Sequence, residues 1–383
     1  MPAQAPRILP DDARILIVRF SSLGDVVKCT ALPRLIHNRY PRARITFVTA
    51  EANLELIRDN PHLERAIGFQ RRDGLGGLLR LAADLRGQGV DLVADVHRSL
   101  RSRLLTALLR APRTDYSKRT LQRALLIHFR RNTYPGPGTV AFGKEADFLA
   151  GLRPYGVEDD GQGTELHLHR LEADPALHAR FAAELAQLDD WRRKGRPVLG
   201  VAPVAAWDLK RWPLAHVRAL LEGYVERTGG GFVLFGGPAD ADVPPLAQGL
   251  ETHAISLVGR TSHLESAWFA ARCDLMLAND TGMSHIAEAV GRDAVVFFGP
   301  TSREWGYFPG REGSRVLERA LPCRPCTRMG EGPCTHPRHK ACLAGIAPAE
   351  ALETVLERLE AAAAGGQRIP QRPTATDSRE GSP

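Results

Sequence analysis

Nowhere in the 383 residues does an uncharged apolar run reach the roughly 18 residues that a membrane-spanning helix needs. The opening stretch MPAQAPRILPDDAR has no apolar h-region of the secretory kind, so the chain is expected in the cytoplasm. Cysteine is sparse: of six, four are bunched between Cys323 and Cys342. That distribution argues for a cytosolic metal or thiol cluster rather than a disulfide scaffold. The GxxxxGK[ST] spacing of a nucleotide P-loop is absent, and no repeat of solenoid period is visible. The cysteine–histidine spacing fits no finger module, and no RRM, KH or helix-turn-helix signature appears.

Acid is missing from one stretch. Between Arg98 and Arg131 ten basic residues face a single acid, Asp115. Residues 1–150 hold 25 Lys and Arg against 14 Asp and Glu, a net +11; the whole chain is +7, leaving −4 for the rest. Such a surface favours a polyanionic partner: a phosphorylated glycolipid, an anionic membrane or nucleic acid. The missing nucleic-acid signatures weigh against the last.

What is present is a soluble, globular composition, 43% hydrophobic and 25% charged, in a chain long enough for two domains. Short runs rich in apolar and β-branched residues alternate with helical segments: RILIVRF, RITFVT and DLVADV in the first half, then VLGV, FVLF, DLMLA and AVVFF in the second. Such alternation predicts βαβ units and parallel sheets. The polar stretch ending in WRRKGRP marks a junction near residue 195. The expected organisation is a first α/β domain over 14–194, a second over 195–346, a helix over 347–363 and a loose tail over 364–383. Residues 1–13 and a loop at Gly136-Pro137-Gly138 are expected outside the regular elements.

Three segments carry candidate chemistry. In LANDTGMSHIAEAVG a strand breaks at Asn279-Asp280-Thr281-Gly282 and a helix follows, leaving backbone N–H groups at the positive end of its dipole, an anion site. Simple N-capping by Asp280 or Thr281 is the alternative. In SSLGD, Asp25 stands at the C-terminal edge of the first strand, where ligands bind in open α/β sheets. There it can accept a proton from a hydroxyl or cap its helix; Arg19 and Lys28 flank it as candidate anion holders. In Trp207–Pro213, Lys210 could neutralise a diphosphate as a point charge.

Together, ILIVRFSSLGDVV, the KRWP loop and VGRTSHLESAWFAARCDLMLANDTGMSHIAEAVG with FGPTSREW resemble glycosyltransferase family 9, the heptosyltransferases of lipopolysaccharide core synthesis. The similarity runs from about residue 14 to 360. The resemblance implies a GT-B fold, two Rossmann-like doubly wound domains facing a central cleft, with the last helix crossing back onto the first domain. It implies an inverting transfer of heptose from ADP-heptose to a Kdo- or heptose-bearing lipid A core, with no metal required for catalysis. It places the general base on Asp25 and a donor-phosphate contact on Lys210. Donor binding falls on Thr261, Asp280, Thr281, Gly282 and His285, and acceptor binding on Ser22, Gly24, His97, Arg98 and Arg101. In that acceptor segment His97 and Arg98 stand where the family pattern has Gln and Gly, and Arg101 takes the place of a lysine. An anionic glycolipid acceptor implies peripheral contact with the cytoplasmic face of an inner membrane through the basic first domain. Another nucleotide sugar, or a protein acceptor, stays open within the same family.

The remaining signal is Cys323-x2-Cys326-x7-Cys334-x7-Cys342, with His336 and His339 nearby. Four thiolates in one loop could form a closed structural site for zinc or iron; reduced thiols that merely pack the loop are the alternative. Cys29 and Cys273 read as small core residues.

Overall fold

The computed structural model describes residues 7–114, 116–134 and 143–364. Asp115, the Gly136-Pro137-Gly138 loop, the first six residues and the tail from 365 lie outside the described residues.

Two parallel sheets form. The first contains β1 (Arg14–Val18), β2 (Arg44–Ala50), β3 (Arg65–Phe69) and β4 (Leu92–Asp95), in the order β3-β2-β1-β4. The second contains β5 (Val198–Ala202), β6 (Gly231–Leu234), β7 (Ala254–Ser256), β8 (Leu275–Asn279), β9 (Ala294–Phe298) and β10 (Arg315–Glu318), in the order β10-β9-β8-β5-β6-β7. Their apolar runs are continuous because helices cover both faces; β8 and β9 are buried at every residue. Each sheet reverses its winding once, between β1 and β4 and between β5 and β8. Such switch points open a crevice at the strand C-termini, and the two crevices face each other. Among the described residues no helix is long and apolar enough to cross a membrane.

Two packing expectations are corrected. The helix Pro348–Ala364 does not cross to the first sheet. Its Ala351, Leu352, Val355, Leu356 and Leu359 bury against Val217, Leu220 and Leu221 of the helix Leu214–Thr228. This apolar stripe completes the outer core of the second sheet. The break near residue 195 also falls late. The helix Ala182–Arg193 already packs under the second sheet through Leu188 and Trp191. Arg192 Nη2 donates to Arg272 O at 2.8 Å, and the Phe181 and Phe269 rings meet at 5.0 Å. Its polar outer face resembles a linker in sequence, while its buried residues three apart belong to the second core.

The halves touch through two helices lying side by side, Leu23–Lys28 after β1 and Gly282–Ala289 after β8. A Cβ on Gly24 would sit 2.6 Å from His285 Cδ2, and one on Gly282 would sit 2.6 Å from Leu23 Cδ2. Further along, the buried Lys28 Nζ pairs with Glu288 at 3.1 Å and Glu145 at 2.7 Å. Burial alone would push the Glu288 carboxyl up; His285, the Lys28 ammonium and the Gly310 N–H override it and hold it at about 2.

Two outcomes follow for stability. Gly282→Ala overpacks the contact and destabilises by about 1–3 kcal/mol, read as a lower denaturant midpoint. Because the folded Glu288 value lies below its ordinary 4.5, its stabilisation is complete above that pH and is lost as the pH falls toward about 2. Lys28→Met removes the partner, so acid unfolding of that variant begins at higher pH than in the parent.

Candidate functional site

The facing crevices merge into one cleft of about 1020 Å³ walled by both halves. Asp25 lies on its floor, only 8% exposed. Its Oδ2 accepts from Ser22 N at 3.2 Å and from Ser22 Oγ at 2.9 Å, and it pairs with the Arg19 guanidinium. Its Oδ1 accepts from Tyr307 Oη, in the second half, at 2.7 Å. Burial pushes this carboxyl up, but Arg19, Tyr307 and Ser22 outweigh it and hold it at about 2, so Asp25 is ionised at neutral pH. Capping and a proton-accepting position coexist in the same side chain.

Arg19 and Lys28, read from sequence as possible anion holders, are committed elsewhere. Arg19 is buried against Asp25 and the Phe148 ring at 5.2 Å, and Lys28 against Glu145 and Glu288. The other cations on the first-half wall are Lys118, Arg123, whose guanidinium lies 5.2 Å from the centre of the Trp305 ring, and Lys144, 3.1 Å from Asp147 and 5.0 Å from the centre of the Tyr116 ring.

Across the cleft, β5 leads through the turn Asp208–Lys210 to the helix Leu214–Thr228. Lys210 Nζ lies 2.6 Å from Asp280 Oδ2, which also accepts from Thr301 Oγ1 at 2.8 Å. The Asp280 carboxylate is thus engaged away from the helix end. Thr281 makes no side-chain cap bond, and its buried Oγ1 has no partner among the described residues. N-capping by a side chain therefore does not account for Asp280-Thr281, and the start of this helix, Thr281, Gly282 and Met283, lines the cleft. His285 follows one turn later, its ring against Gly24 and 5.8 Å from the Tyr307 ring. Thr261, on the same wall, bonds Ser266 Oγ at 2.8 Å at the start of the capped helix His263–Ala270.

The sequence-derived acceptor set divides. Ser22 and Gly24 line the cleft, whereas His97, Arg98 and Arg101 are not among the residues that line it. His97 Nδ1 accepts from Phe20 N at 3.1 Å, and burial, Arg19 and Lys118 pull the imidazole down to about 4, so it braces the turn as a neutral ring. Arg98 takes a left-handed φ of 50°, a conformation suited to the glycine of the family pattern, and donates to Tyr116 O. Arg101 lies 5.6 Å from the centre of the Phe69 ring. Tyr116, Lys118, Arg123 and Lys144 occupy the wall instead. Lys118 and Arg123 belonged to the basic stretch, whereas nothing in the sequence pattern singled out Lys144 or Tyr307.

The four cysteines share one loop without forming a metal centre. Among the described residues no three His, Cys, Asp or Glu side chains converge as a metal-holding group. Cys334 Sγ accepts from Lys340 N at 3.3 Å, His339 lies 3.7 Å from Asp208, and burial together with the other three sulfurs pushes the Cys326 thiol up to about 11. The expected structural zinc or iron therefore finds no converged ligand set among the described residues. The loop instead supports the cleft. Gly330 has φ +99°, and a Cβ there would fall 2.9 Å from Trp207 Cβ and 3.0 Å from Lys210 Cγ.

The family description "Glycosyltransferase family 9 (heptosyltransferase)" matches residues 78–332. A lipooligosaccharide heptosyltransferase 2 of Haemophilus influenzae is 28% identical over 320 residues, 76% of this chain and 84% of that protein. The glycosyl transferase family 9 structure from Veillonella parvula superposes with a TM-score of 0.71 at 21% identity, covering 94% of this chain and 100% of that one. The E. coli heptosyltransferase WaaC, solved with ADP-2-deoxy-2-fluoro heptose, gives 0.63 at 19% identity over 90% and 99%. These likenesses establish the GT-B arrangement of the two sheets. With the family match spanning well over half its length, the chain belongs to glycosyltransferase family 9 and is a glycosyltransferase.

Proposed function

We propose that the chain transfers heptose from ADP-heptose to a Kdo- or heptose-bearing lipid A core, inverting the anomeric carbon. The observation that carries this reading is a single juxtaposition. An ionised carboxylate on the first half opens into the same cleft as a lysine and an unblocked helix N-terminus on the second. The names of the relatives supply the sugar and the acceptor class, and the nucleotide in the WaaC structure supplies the donor class.

On this reading the acceptor hydroxyl attacks the anomeric carbon from the side opposite the diphosphate. Asp25 Oδ1 takes its proton, while the bond to the diphosphate oxygen breaks with its electron pair. Lys210, held by Asp280, and the N–H groups beginning at Gly282 meet the charge on the leaving ADP. Thr261 and His285 complete the donor wall. These protein cations stand in the role a divalent ion would play, so the transfer proceeds without one. Lys118 and Arg123 suit the anionic groups of a glycolipid core. The exposed Leu100 and Leu104, flanked by Arg101 and Arg103, suit peripheral contact with an anionic inner-membrane surface on the cytoplasmic side.

ADP release from ADP-heptose with a lipid A core acceptor tests the reading. Asp25→Asn lowers kcat by about 10²–10⁴-fold with little change in donor KM; near-normal turnover would remove Asp25 from the role of base. Lys210→Ala lowers kcat by about 10²–10³-fold, and activity is unchanged by EDTA. Failure of ADP-heptose to serve, with another nucleotide sugar active, would move the reading to a different donor within the family.

A further inference from the structure

One carboxylate oxygen of Asp25 is satisfied from within its own half. Oδ2 receives Ser22 N, Ser22 Oγ and the Arg19 guanidinium. Oδ1 is reached from the other half, by Tyr307 Oη at 2.7 Å. A carboxylate oxygen has two lone pairs, so Oδ1 keeps one for an acceptor hydroxyl. Carboxylate torsions are broad, and the groups on Oδ2 leave the direction of that remaining lone pair loosely set. A donor on Oδ1 sets it.

Tyr307 stands on a strap that crosses between the halves. Lys144 N donates to Gly306 O at 2.8 Å, and Asn132 Nδ2 to Glu304 Oε1 at 2.9 Å. Gly306 has φ +78°, and a Cβ there would fall 2.9 Å from Lys144 N, so only glycine lets the strap lie this close. The Tyr134 ring stacks on Trp305 at 6.1 Å, and Trp305 Nε1 donates to Arg328 O at 2.9 Å. The strap follows β9 and so belongs to the half with the proposed donor wall, yet Gly306, Glu304 and Trp305 reach Lys144, Asn132 and Tyr134 of the half that carries the base.

We infer that Tyr307 is a positioning residue: its hydroxyl orients Asp25 Oδ1, so the base is aligned only when the two halves are closed on each other. The inference rests on Asp25 being the base. Tyr307 keeps its own proton, because burial and the neighbouring Asp25 charge raise its hydroxyl well above the ordinary value. It therefore acts as a hydrogen-bond donor throughout and does not compete for the acceptor proton. Closing the molecule around a donor then does two things at once: it encloses the diphosphate and it fixes the carboxylate that activates the acceptor.

Tyr307→Phe keeps the ring beside His285 and removes only the hydroxyl. Steady-state assays with ADP-heptose and a lipid A core acceptor are expected to show kcat lower by about tenfold or more, with donor KM within about twofold of the parent. In an Asp25→Asn background the same change is expected to give no further loss, because the two residues act as one unit. Unchanged kcat, a rise in donor KM at constant kcat, or an equal loss in both backgrounds would each overturn the inference. The kcat–KM split decides alone where the Asp25→Asn rate is too low to measure. Near-normal turnover by Asp25→Asn is a separate result that removes the base assignment itself, so the two failures are distinguishable.

Discussion

Everything in this molecule depends on two helices meeting through a glycine on each, which makes room for a side chain of the other. Gly24 and Gly282 bring the backbones after β1 and β8 together, and any larger residue at either place would drive a wedge into the contact. The closeness makes one site of two crevices. It also places both strand-to-helix turns, one bearing Asp25 and the other Asp280-Thr281, on the same space. Like-ended helix dipoles side by side repel. The buried Lys28–Glu288 pair binds the helices together one to two turns further along, and Lys28 also pairs with Glu145 of the first half. Glu288 also accepts from the N–H groups of Gly310 and Arg311, so the same carboxylate pins the chain just beyond the strap that carries Tyr307.

The electrostatics of Asp25 have a chemical consequence. Arg19, Ser22 and Tyr307 keep the carboxylate ionised far below neutral pH, and the same contacts make it a weak proton acceptor. A weak base accepts a proton late, once the attacking hydroxyl has become acidic by bonding to an electron-poor carbon. Glycosyl transfer supplies that condition, because its transition state carries oxocarbenium character at the anomeric centre. Under the proposed chemistry Asp25 first orients the hydroxyl and stabilises positive charge near it, and takes the proton only as the new bond forms. A carboxylate raised toward neutrality by burial alone would instead be partly protonated and unable to do either.

The parts of this arrangement that were legible in sequence are the ones written in local pattern. Apolar runs at βαβ spacing announced the two sheets, and SSLGD and NDTG stand at strand ends where switch points place ligands. What escaped the sequence reading depends on tertiary contact. Helix Pro348–Ala364 has the composition of any amphipathic helix, and only the open face beside Leu220 and Leu221 decides where it lies. Helix Ala182–Arg193 lies in a polar, helical stretch that ends in a run of breakers, so sequence places the junction after it although its buried face packs under the second sheet. After β4 the chain turns with Arg98 at positive φ, and the His97, Arg98 and Arg101 side chains engage Phe20, Tyr116 and Phe69 rather than lining the cleft. Lys144 and Tyr307 belong to no motif. They reach the cleft because the strap through Gly306 lies against Lys144, a contact between residues 162 positions apart in the chain.

The cysteine loop shows the same distinction between pattern and placement. Its spacing suggested a metal, yet its contacts are those of a brace. Gly330 packs on Trp207 and Lys210, Lys340 Nζ holds Asp208 Oδ1 at 2.9 Å, and Arg130 of the first half donates to Cys323 O at 3.0 Å. Arg328 and Met329 from the same loop form part of the cleft wall. A lysine on a flexible stem loses considerable rotamer freedom when it is held against a diphosphate, and a glycine-rich loop pressed along its aliphatic stem removes part of that freedom beforehand. The loop thereby does for Lys210 what the strap does for Asp25. Each principal charged group of the cleft is fixed by a segment remote in sequence, and both segments also contact the first half, so the geometry of the charges is set by how the halves close rather than by either half alone.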